Sequence, residues 1–165
     1  MGLSWNGFDF SMFWQGVAKR DLWLTGNMFW GLNGGEWQST GFKEHLDYYR
    51  PENTTSVFGP NTNAYFPRIY MNSDKNQYTQ TRYLQNGAYA RLKNIQLGYT
   101  LPKYLTSRIG LQKVYLYVSA ENLLTISSLP DSFDPETAYS NYSRANTGKA
   151  YPLQKTVSFG LNVSF

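Results

Sequence analysis

The sequence predicts an all-β fold of antiparallel strands that cross an outer membrane as a segment of a transmembrane β-barrel with two long extracellular loops. Two observations carry this prediction. Four segments alternate apolar and polar residues at every second position, the period of a strand with two different faces. The connections between these segments are very unequal in length, as in barrels that have short turns on one side of the membrane and long loops on the other.

The composition excludes several other classes of protein. Mean hydropathy is -0.51, and no apolar run approaches the roughly 20 residues that a membrane-spanning helix needs. Aromatic residues make up 18% of the chain, too many to stay solvated in a disordered protein. The chain has no cysteine, which excludes disulfides and thiolate chemistry. The net charge of +4 is too small to predict a nucleic-acid partner.

The first two strands are predicted near residues 4–17 and 83–101. Large apolar residues occupy alternate positions in both, although Phe13 interrupts the first pattern. Pro102 ends the second strand, since proline cannot donate to a strand ladder. The alternating residues are Phe8, Phe10, Met12 and Trp14 in the first strand and Ile95, Leu97, Tyr99 and Leu101 in the second.

The last two strands are predicted near residues 112–126 and 154–165, where the alternation is clearest. Large apolar side chains fall on one face, and polar residues, tyrosines or glycine fall on the other. The apolar set is Val114, Leu116, Val118 and Ala120 in the third strand and Val157, Phe159, Leu161, Val163 and Phe165 in the fourth.

The lengths of the connections predict that one end of this sheet carries a short turn and the other end carries long loops. About ten residues join the second and third strands, whereas about 65 separate Val17 from Tyr83. The segment from Ser127 to Leu153 is also long. Loops beyond roughly 12 to 15 residues are uncommon in compact soluble domains and are usually functional.

Two environments could cover the apolar face, namely lipid or a second sheet. A soluble, aromatic-rich β-sandwich, such as a carbohydrate-binding module, would explain the tryptophans and tyrosines, but its strands average 5 or 6 residues. Strands of about 9 to 11 residues fit a membrane barrel better. Aromatic residues at strand ends, such as Tyr89, Trp14 and Phe165, are then expected at the membrane interfaces. The residues predicted to face lipid are Val157, Phe159, Leu161, Val114, Leu116 and Val118.

Four strands cannot close a barrel, because the smallest membrane barrels have eight. The start of the chain, Met1 to Trp5, also lacks the successive regions of a signal peptide. We therefore expect the chain to be part of a larger barrel, with any export signal encoded upstream.

Motifs along nearly the whole chain carry a resemblance to a known family. The sequence resembles the C-terminal part of SusC/RagA-type TonB-dependent outer-membrane transporters, the Bacteroidota family that imports glycans or peptides with a surface lipoprotein. The motifs are, in order, Gly7-Phe8-Asp9-Phe10-Ser11 with Gln15-Gly16-Val17, Arg50-Pro51-Glu52-Asn53, Tyr65-Phe66-Pro67-Arg68, the run from Gly87 to Pro102, Val118-Ser119-Ala120-Glu121-Asn122-Leu123-Leu124, Asp134-Pro135-Glu136, and Tyr151-Pro152-Leu153 leading to Phe165.

The resemblance implies a 22-stranded barrel with an N-terminal plug, of which residues 1–165 would supply the last four strands without the plug. It implies that the whole protein imports oligosaccharides or peptides across the cell outer membrane together with a SusD-like lipoprotein. It also implies dependence on TonB-ExbB-ExbD, insertion by the barrel assembly machinery and contact with outer-membrane lipid. An enzymatic role and a cofactor are not expected.

The terminal strand is also similar to the insertion signal that outer-membrane barrels present to their assembly machinery. The signal residues would be Ser158, Gly160, Val163 and Phe165. Pairing of an exposed last strand with an edge strand of the insertase would use the backbone, and alternate side chains would fill pockets. The alternative is that this is a terminal strand without a recognition role.

Residues with possible chemistry are few. His45 is the only histidine and is expected to be solvated. Asp131, Asp134 and Glu136 could bind a hard cation, but a turn at Asp134-Pro135-Glu136 is the preferred interpretation. Aromatic residues of the first loop could contact a glycan or could pack against the loop itself or a partner. These are Trp37, Tyr48, Tyr49 and Tyr65.

Overall fold

A computed structural model describes residues 1–31, 41–70, 75–139, 147–151 and 153–165. The chain divides into two compact units. The sheet unit comprises Met1–Lys19, Ala88–Ser127 and Leu153–Phe165, and the loop unit comprises Arg20–Gly87 and Ser128–Pro152. No helix of the described residues is long and apolar enough to span a membrane.

Most of the regular secondary structure in the described residues is β-strand. The strands are β1 Gly2–Trp5, β2 Phe8–Val17, β3 Asp21–Leu22, β4 Gln85–Asn86, β5 Tyr89–Thr100, β6 Lys113–Ser127 and β7 Thr156–Ser164; the α-helices are α1 Asn27–Trp30 and α2 Lys103–Thr106; the 3-10 helices are Lys43–Leu46, Lys75–Gln77, Thr81–Tyr83 and Ser107–Ile109.

Five strands form one antiparallel sheet in the order β1-β2-β5-β6-β7, and β3 and β4 form a separate pair. Both short connections of the large sheet, the β1–β2 turn and the segment carrying α2, lie at one end. The two long segments of the loop unit leave from the opposite end, where Val17 pairs with Tyr89 and Tyr89 pairs with Ser127. The sheet is open, with β1 and β7 at its edges.

The single strand predicted near residues 4–17 is wrong, because a hairpin turn divides it. Trp5 pairs with Phe8, and the two residues between them have positive φ, 46° at Asn6 and 85° at Gly7. Asn-Gly with two left-handed residues is the favoured turn for a two-residue hairpin, because its twist matches that of the strands. The described sheet therefore contains five strands rather than the four expected.

A bulge in β5, near the middle of the sheet, keeps the apolar residues of β5 on the same face as those of β2. Met12 pairs with Ile95 but Trp14 pairs with Leu92, so β5 carries one extra residue against β2. Without the extra residue, every side chain beyond this point would point to the opposite face. The same region of β6 contains Asn122, whose φ of 50° accompanies the register shift between β5 and β6.

The resulting sheet has one apolar and one polar face. Phe159 is 83% exposed and Leu161 is 59% exposed, so none of the described residues forms the second sheet over this part of the apolar face that a soluble sandwich would require. The register places these residues on the apolar face: Phe8, Phe10, Met12 and Trp14 of β2; Leu92, Ile95, Leu97 and Tyr99 of β5; Val114, Leu116, Val118, Ala120, Leu124 and Ile126 of β6; and Val157, Phe159, Leu161 and Val163 of β7.

Two residues that the sequence predicts to face lipid or a membrane interface are covered within the chain. Val114 shares the apolar face but is only 8% exposed, because it lies beside the connection whose helix α2 contacts β6. Tyr89 was expected at a membrane interface, but its pairing with Val17 places it on the polar face, where it is buried. The bulge is the reason, since it reverses the face of the residues on its far side.

The loop unit is a packed structure with its own core rather than an open loop. Leu24, Phe29 and Trp30 are almost completely buried, and the Phe29 and Trp30 rings meet edge to face at 5.2 Å. Edge-to-face contacts add stability beyond the burial of area. The core residues are Leu22, Leu24, Phe29, Trp30, Phe66, Tyr83, Leu129, Phe133 and Ala138.

Candidate functional site

The polar face of the sheet places two tyrosine rings over two glycines of neighbouring strands. Gly160 pairs with Tyr117, and a Cβ added at Gly160 would overlap the Tyr117 ring. A Cβ at Gly98 would similarly overlap the Tyr115 ring. The two rings stack on each other with their centroids 5.7 Å apart. The ring contacts therefore run across three strands, from β5 through β6 to β7.

The four residues of the predicted insertion signal lie along the outer strand β7 and just beyond it. Ser158 pairs with Ser119, Val163 pairs with Val114, and Phe165 follows the last paired residue with 85% of its surface exposed. Gly160 has a role within the chain itself, because only glycine leaves room for Tyr117. The outer edge of β7 has no partner strand among the described residues.

The aromatic residues predicted to contact a substrate or partner differ in their exposure and in their contacts within the loop unit. The Arg50 guanidinium lies 4.6 Å from the centre of the Tyr48 ring. Tyr65 accepts a hydrogen bond from Gln85 Nε2 at 2.9 Å, and its ring packs on Phe66. Tyr49 is 40% exposed. Trp37 lies outside the described residues.

Arg50 is an organising residue that sequence reasoning did not single out. Its side chain is buried and donates from Nε to the Gly59 oxygen at 2.6 Å and from Nη1 to the Leu46 oxygen at 2.7 Å. Its backbone N–H donates to the Asn61 oxygen at 3.0 Å. A buried arginine is stabilised when carbonyl groups accept its N–H groups. The only available signal was its place at the start of Arg50-Pro51-Glu52-Asn53.

His45 is buried, so the expectation of a solvated histidine is wrong. Its Nδ1 accepts from the Phe42 backbone N–H at 2.9 Å, and its Nε2 faces the Phe29 oxygen at 3.0 Å. A nitrogen that accepts from an N–H is unprotonated, so the proton of the neutral ring is on Nε2 and is donated to Phe29. The ring fits against Gly31, where φ is 57° and a Cβ would collide with the imidazole.

The acidic segment of the second long loop forms a turn, as preferred from the sequence. The Glu136 backbone N–H donates to Asp134 Oδ1 at 2.8 Å, and the Ala138 N–H donates to the Asp134 oxygen at 2.9 Å. Asp commonly makes such bonds to the backbone two residues ahead. No group of three or more His, Asp and Glu residues in the described ranges could hold a metal ion.

An open cleft of about 610 Å³ lies in the loop unit. Aromatic side chains line part of it, namely Phe29, Phe42 and Phe66, and carboxylates line another part, namely Glu44, Asp47 and Asp131. Asp47 is held in place, since its Oδ1 accepts from Asn61 Nδ2 at 2.8 Å and its Oδ2 accepts from the Tyr65 backbone N–H at 3.1 Å. We refer to this cleft as the acidic cleft.

A second cleft of about 490 Å³ is lined mainly by polar residues and contains two of the predicted contact residues, Tyr48 and Tyr49. The other side chains on it include Asn53, Thr54 and Arg68. Hydroxyl, amide and guanidinium groups can hydrogen-bond to the hydroxyls of a saccharide. We refer to this cleft as the polar cleft.

Tyr83 is the loop-unit residue whose ionisation is most clearly changed by its surroundings. Burial raises the pKa of its hydroxyl above the ordinary value of 10.0, and the neighbouring Arg82 partly opposes this shift. Arg82 itself is held by hydrogen bonds from its Nη2 to the Ala64 oxygen at 2.7 Å and from its Nε to the Tyr65 oxygen at 3.4 Å.

No protein-family model matches the chain. Among curated proteins it is 33% identical to TonB-dependent receptor P3 and 30% identical to TonB-dependent receptor P26, both of Formosa agariphila. Each alignment covers 99% of this chain but only 15% and 16% of the respective receptor. The chain therefore spans about one sixth of the length of the relatives that it matches.

Solved structures show the same relationship. The chain is 26% identical to a chain of the RagAB peptide importer in the open-open state, with a TM-score of 0.64, and 25% identical to one in the closed-closed state, with a TM-score of 0.65. Each match covers 99% of this chain and 16% of the solved chain.

The fold and these relatives together support a segment of a TonB-dependent receptor. Among solved structures the segment is similar to part of the RagAB peptide importer, which supports a SusC/RagA-like receptor. Its relatives are named as receptors or transporters and not as enzymes, in agreement with the expectation of a non-enzymatic protein.

Proposed function

We propose that the chain is the C-terminal part of a SusC/RagA-type importer in the outer membrane of a Bacteroidota cell. Strands β2, β5, β6 and β7 would be the last four strands of a 22-stranded barrel with a plugged lumen. β1 would be the end of the strand before them. The observation that carries the proposal is the continuous apolar face, combined with a similarity to TonB-dependent receptors that covers 99% of the chain.

In this arrangement the apolar face contacts lipid and the polar face lines the barrel interior. The lipid-facing residues would be Val157, Phe159, Leu161, Leu116 and Val118, with Val114 on the same face but covered by its own chain. Apolar side chains facing outward and polar ones facing inward is the pattern of outer-membrane barrels. Ser158, Gly160, Val163 and Phe165 would form the strand that the barrel assembly machinery recognises.

The loop unit would lie on the extracellular side, because long loops occupy that side of outer-membrane barrels. There it would contribute to substrate contact and to docking of a SusD-like surface lipoprotein. Tyr48, Tyr49, Tyr65 and Trp37 remain candidates for these contacts. Energy for import would come from TonB-ExbB-ExbD acting on the plug, which belongs to the part of the receptor outside this chain. The substrate would be an oligosaccharide or a peptide.

The test is uptake by cells that contain or lack the complete receptor. Labelled oligosaccharides and labelled peptides are offered to wild-type cells, to a receptor deletion and to a strain lacking TonB. We expect the receptor in the outer-membrane fraction, and we expect uptake of at least one substrate class to be lost in both mutant strains. Recovery of the receptor in the soluble fraction, or unchanged uptake of both classes in the receptor deletion, would contradict the proposal.

A further inference from the structure

The acidic cleft combines two surfaces of different chemistry. Phe29 and Phe66 are buried core residues that present part of their surface to the cleft, and Phe42 is 40% exposed. Glu44 and Asp131 are exposed carboxylates on the same cleft. A ligand that fits both surfaces has an apolar group beside a polar one.

No cationic side chain among the described residues that line the cleft compensates its carboxylates. Neither the Glu44 nor the Asp131 carboxylate makes a hydrogen bond or an ion pair with any of the described residues, and Asp47 is held only by uncharged donors. No lysine or arginine is among the described residues that line the cleft. This is unusual in a chain with 15 basic and 11 acidic residues, because neighbouring basic residues would stabilise carboxylates gathered on one surface.

We propose that the acidic cleft binds a peptide in which a lysine or arginine lies next to an aromatic or aliphatic residue. The proposal rests on the proposed function, since it names the substrate class that the loop unit would contact. The cationic group would approach Glu44 and Asp131, and the apolar side chain would cover Phe42 and its aromatic neighbours. Lysine and arginine fit both surfaces, because their apolar stems can also lie along the rings.

Two other ligands fit the cleft less well. A neutral oligosaccharide has no cation to offset the carboxylates, and the polar cleft, with its hydroxyl and amide groups, suits it better. A divalent metal ion requires a close group of ligands, and none of three or more His, Asp and Glu exists in the described part of the chain. The acidic cleft therefore favours an organic cation with an apolar neighbour.

The experiment measures binding to the purified, complete receptor in detergent by isothermal titration calorimetry. The probes are the blocked peptides acetyl-Ala-Phe-Lys-Ala-amide and acetyl-Ala-Phe-Gln-Ala-amide, together with maltohexaose as a neutral oligosaccharide. We expect the lysine peptide to bind at least about fivefold more tightly than the glutamine peptide, and this preference to weaken as salt is raised, as for partly exposed ion pairs.

Two variants test the carboxylates. The double variant Glu44→Gln and Asp131→Asn should remove most of the lysine preference, and Asp131→Lys should reverse it in favour of a matching glutamate peptide. Glu52→Gln is the matched control, because Glu52 is an exposed carboxylate of the same unit that does not line the cleft. Equal melting temperatures for all variants show that the folded state is retained.

Three outcomes would overturn the proposal: no measurable binding of the lysine peptide, no preference for lysine over glutamine, or a preference that survives in the double variant. Tighter binding of maltohexaose that the double variant weakens would assign the cleft to saccharides instead. TonB-dependent uptake is measured separately on the same variants. Normal uptake by a receptor that shows no lysine preference contradicts only the proposal for the cleft. Absence of TonB-dependent uptake by the wild-type receptor contradicts the importer function itself.

Discussion

The ring of Tyr117 on β6 lies directly over Gly160 on β7, in the space that a side chain at residue 160 would occupy. The two residues are cross-strand partners, and the glycine leaves free the space that the ring occupies. A shift of β7 by one residue would place Leu161 or Phe159 opposite the tyrosine and would turn the apolar side chains to the polar face. The pair therefore helps to set the register of the last strand.

We expect Gly160→Val in the complete receptor to lower the free energy of unfolding by about 1 to 3 kcal/mol, the usual cost of overpacking. Tyr117→Ala should relieve much of this loss, because it removes the ring that the new side chain meets. A double-mutant cycle from urea unfolding in lipid vesicles measures the coupling. Ser158→Val is the matched control on the same face of β7. Additive effects of the Gly160 and Tyr117 changes would show that the ring does not depend on the glycine.

The two faces of β7 should differ in their tolerance of charge. Leu161→Arg places a cation on the apolar face and should cost roughly 2 to 4 kcal/mol near the middle of the bilayer. Asn162→Arg, one residue further along the chain, should cost much less because it faces a polar interior. Folding yield and unfolding free energy in lipid vesicles measure both. Similar losses for the two variants would contradict the assignment of lipid to one face.

Removal of Phe165 should affect membrane insertion more than stability. Phe165 is 85% exposed and follows the last strand, so its deletion loses little of the roughly 1.5 to 3 kcal/mol that a fully buried phenylalanine contributes. Recognition by the assembly machinery depends instead on a few anchor side chains. We expect less receptor in the outer-membrane fraction and a nearly unchanged melting temperature. A lower melting temperature with normal yield would make Phe165 a packing residue.

Replacement of Arg50 should loosen its own loop segment. Arg50→Met keeps the apolar stem but removes the donors to Gly59 and Leu46, and hydrogen bonds to charged groups contribute roughly 1.5 to 3 kcal/mol each. We expect faster hydrogen exchange across residues 46–61 of the complete receptor. Arg68→Met is the control, since Arg68 is exposed. Equal exchange in both variants would show that the two carbonyl contacts of Arg50 do not stabilise the segment.

The raised pKa of Tyr83 makes the loop unit sensitive to alkaline pH. Because the pKa is higher in the folded state than the ordinary 10.0, folding favours the neutral hydroxyl. Its contribution to stability is complete below pH 10.0 and is lost as the pH rises through the folded-state pKa. Tyr83→Phe should therefore reduce the loss of stability above that pH in denaturant unfolding, whereas Tyr70→Phe, at an exposed tyrosine, should not. Identical pH profiles for wild type and Tyr83→Phe would contradict this prediction.

Alternation in the sequence was enough to assign the residues of β7 to its two faces. Alternation has a period of two in any β-strand, so Val157, Phe159 and Leu161 could be assigned to one face without knowledge of their neighbours. The hairpin at Asn6-Gly7 was also readable, since this dipeptide is a strong local turn signal.

The tertiary structure alone decided the features that depend on partners distant in the chain. The bulge that keeps Leu92 and Ile95 on one face is visible only once β5 is paired with β2. His45 is buried because Phe29 and Phe42 supply its hydrogen-bond partners. The acidic cleft joins segments near Glu44 and Asp131 that lie far apart in sequence. The physical reason is that periodicity and turn preference are properties of neighbouring residues, whereas register, burial and clefts arise from contacts that the chain makes only after it has folded.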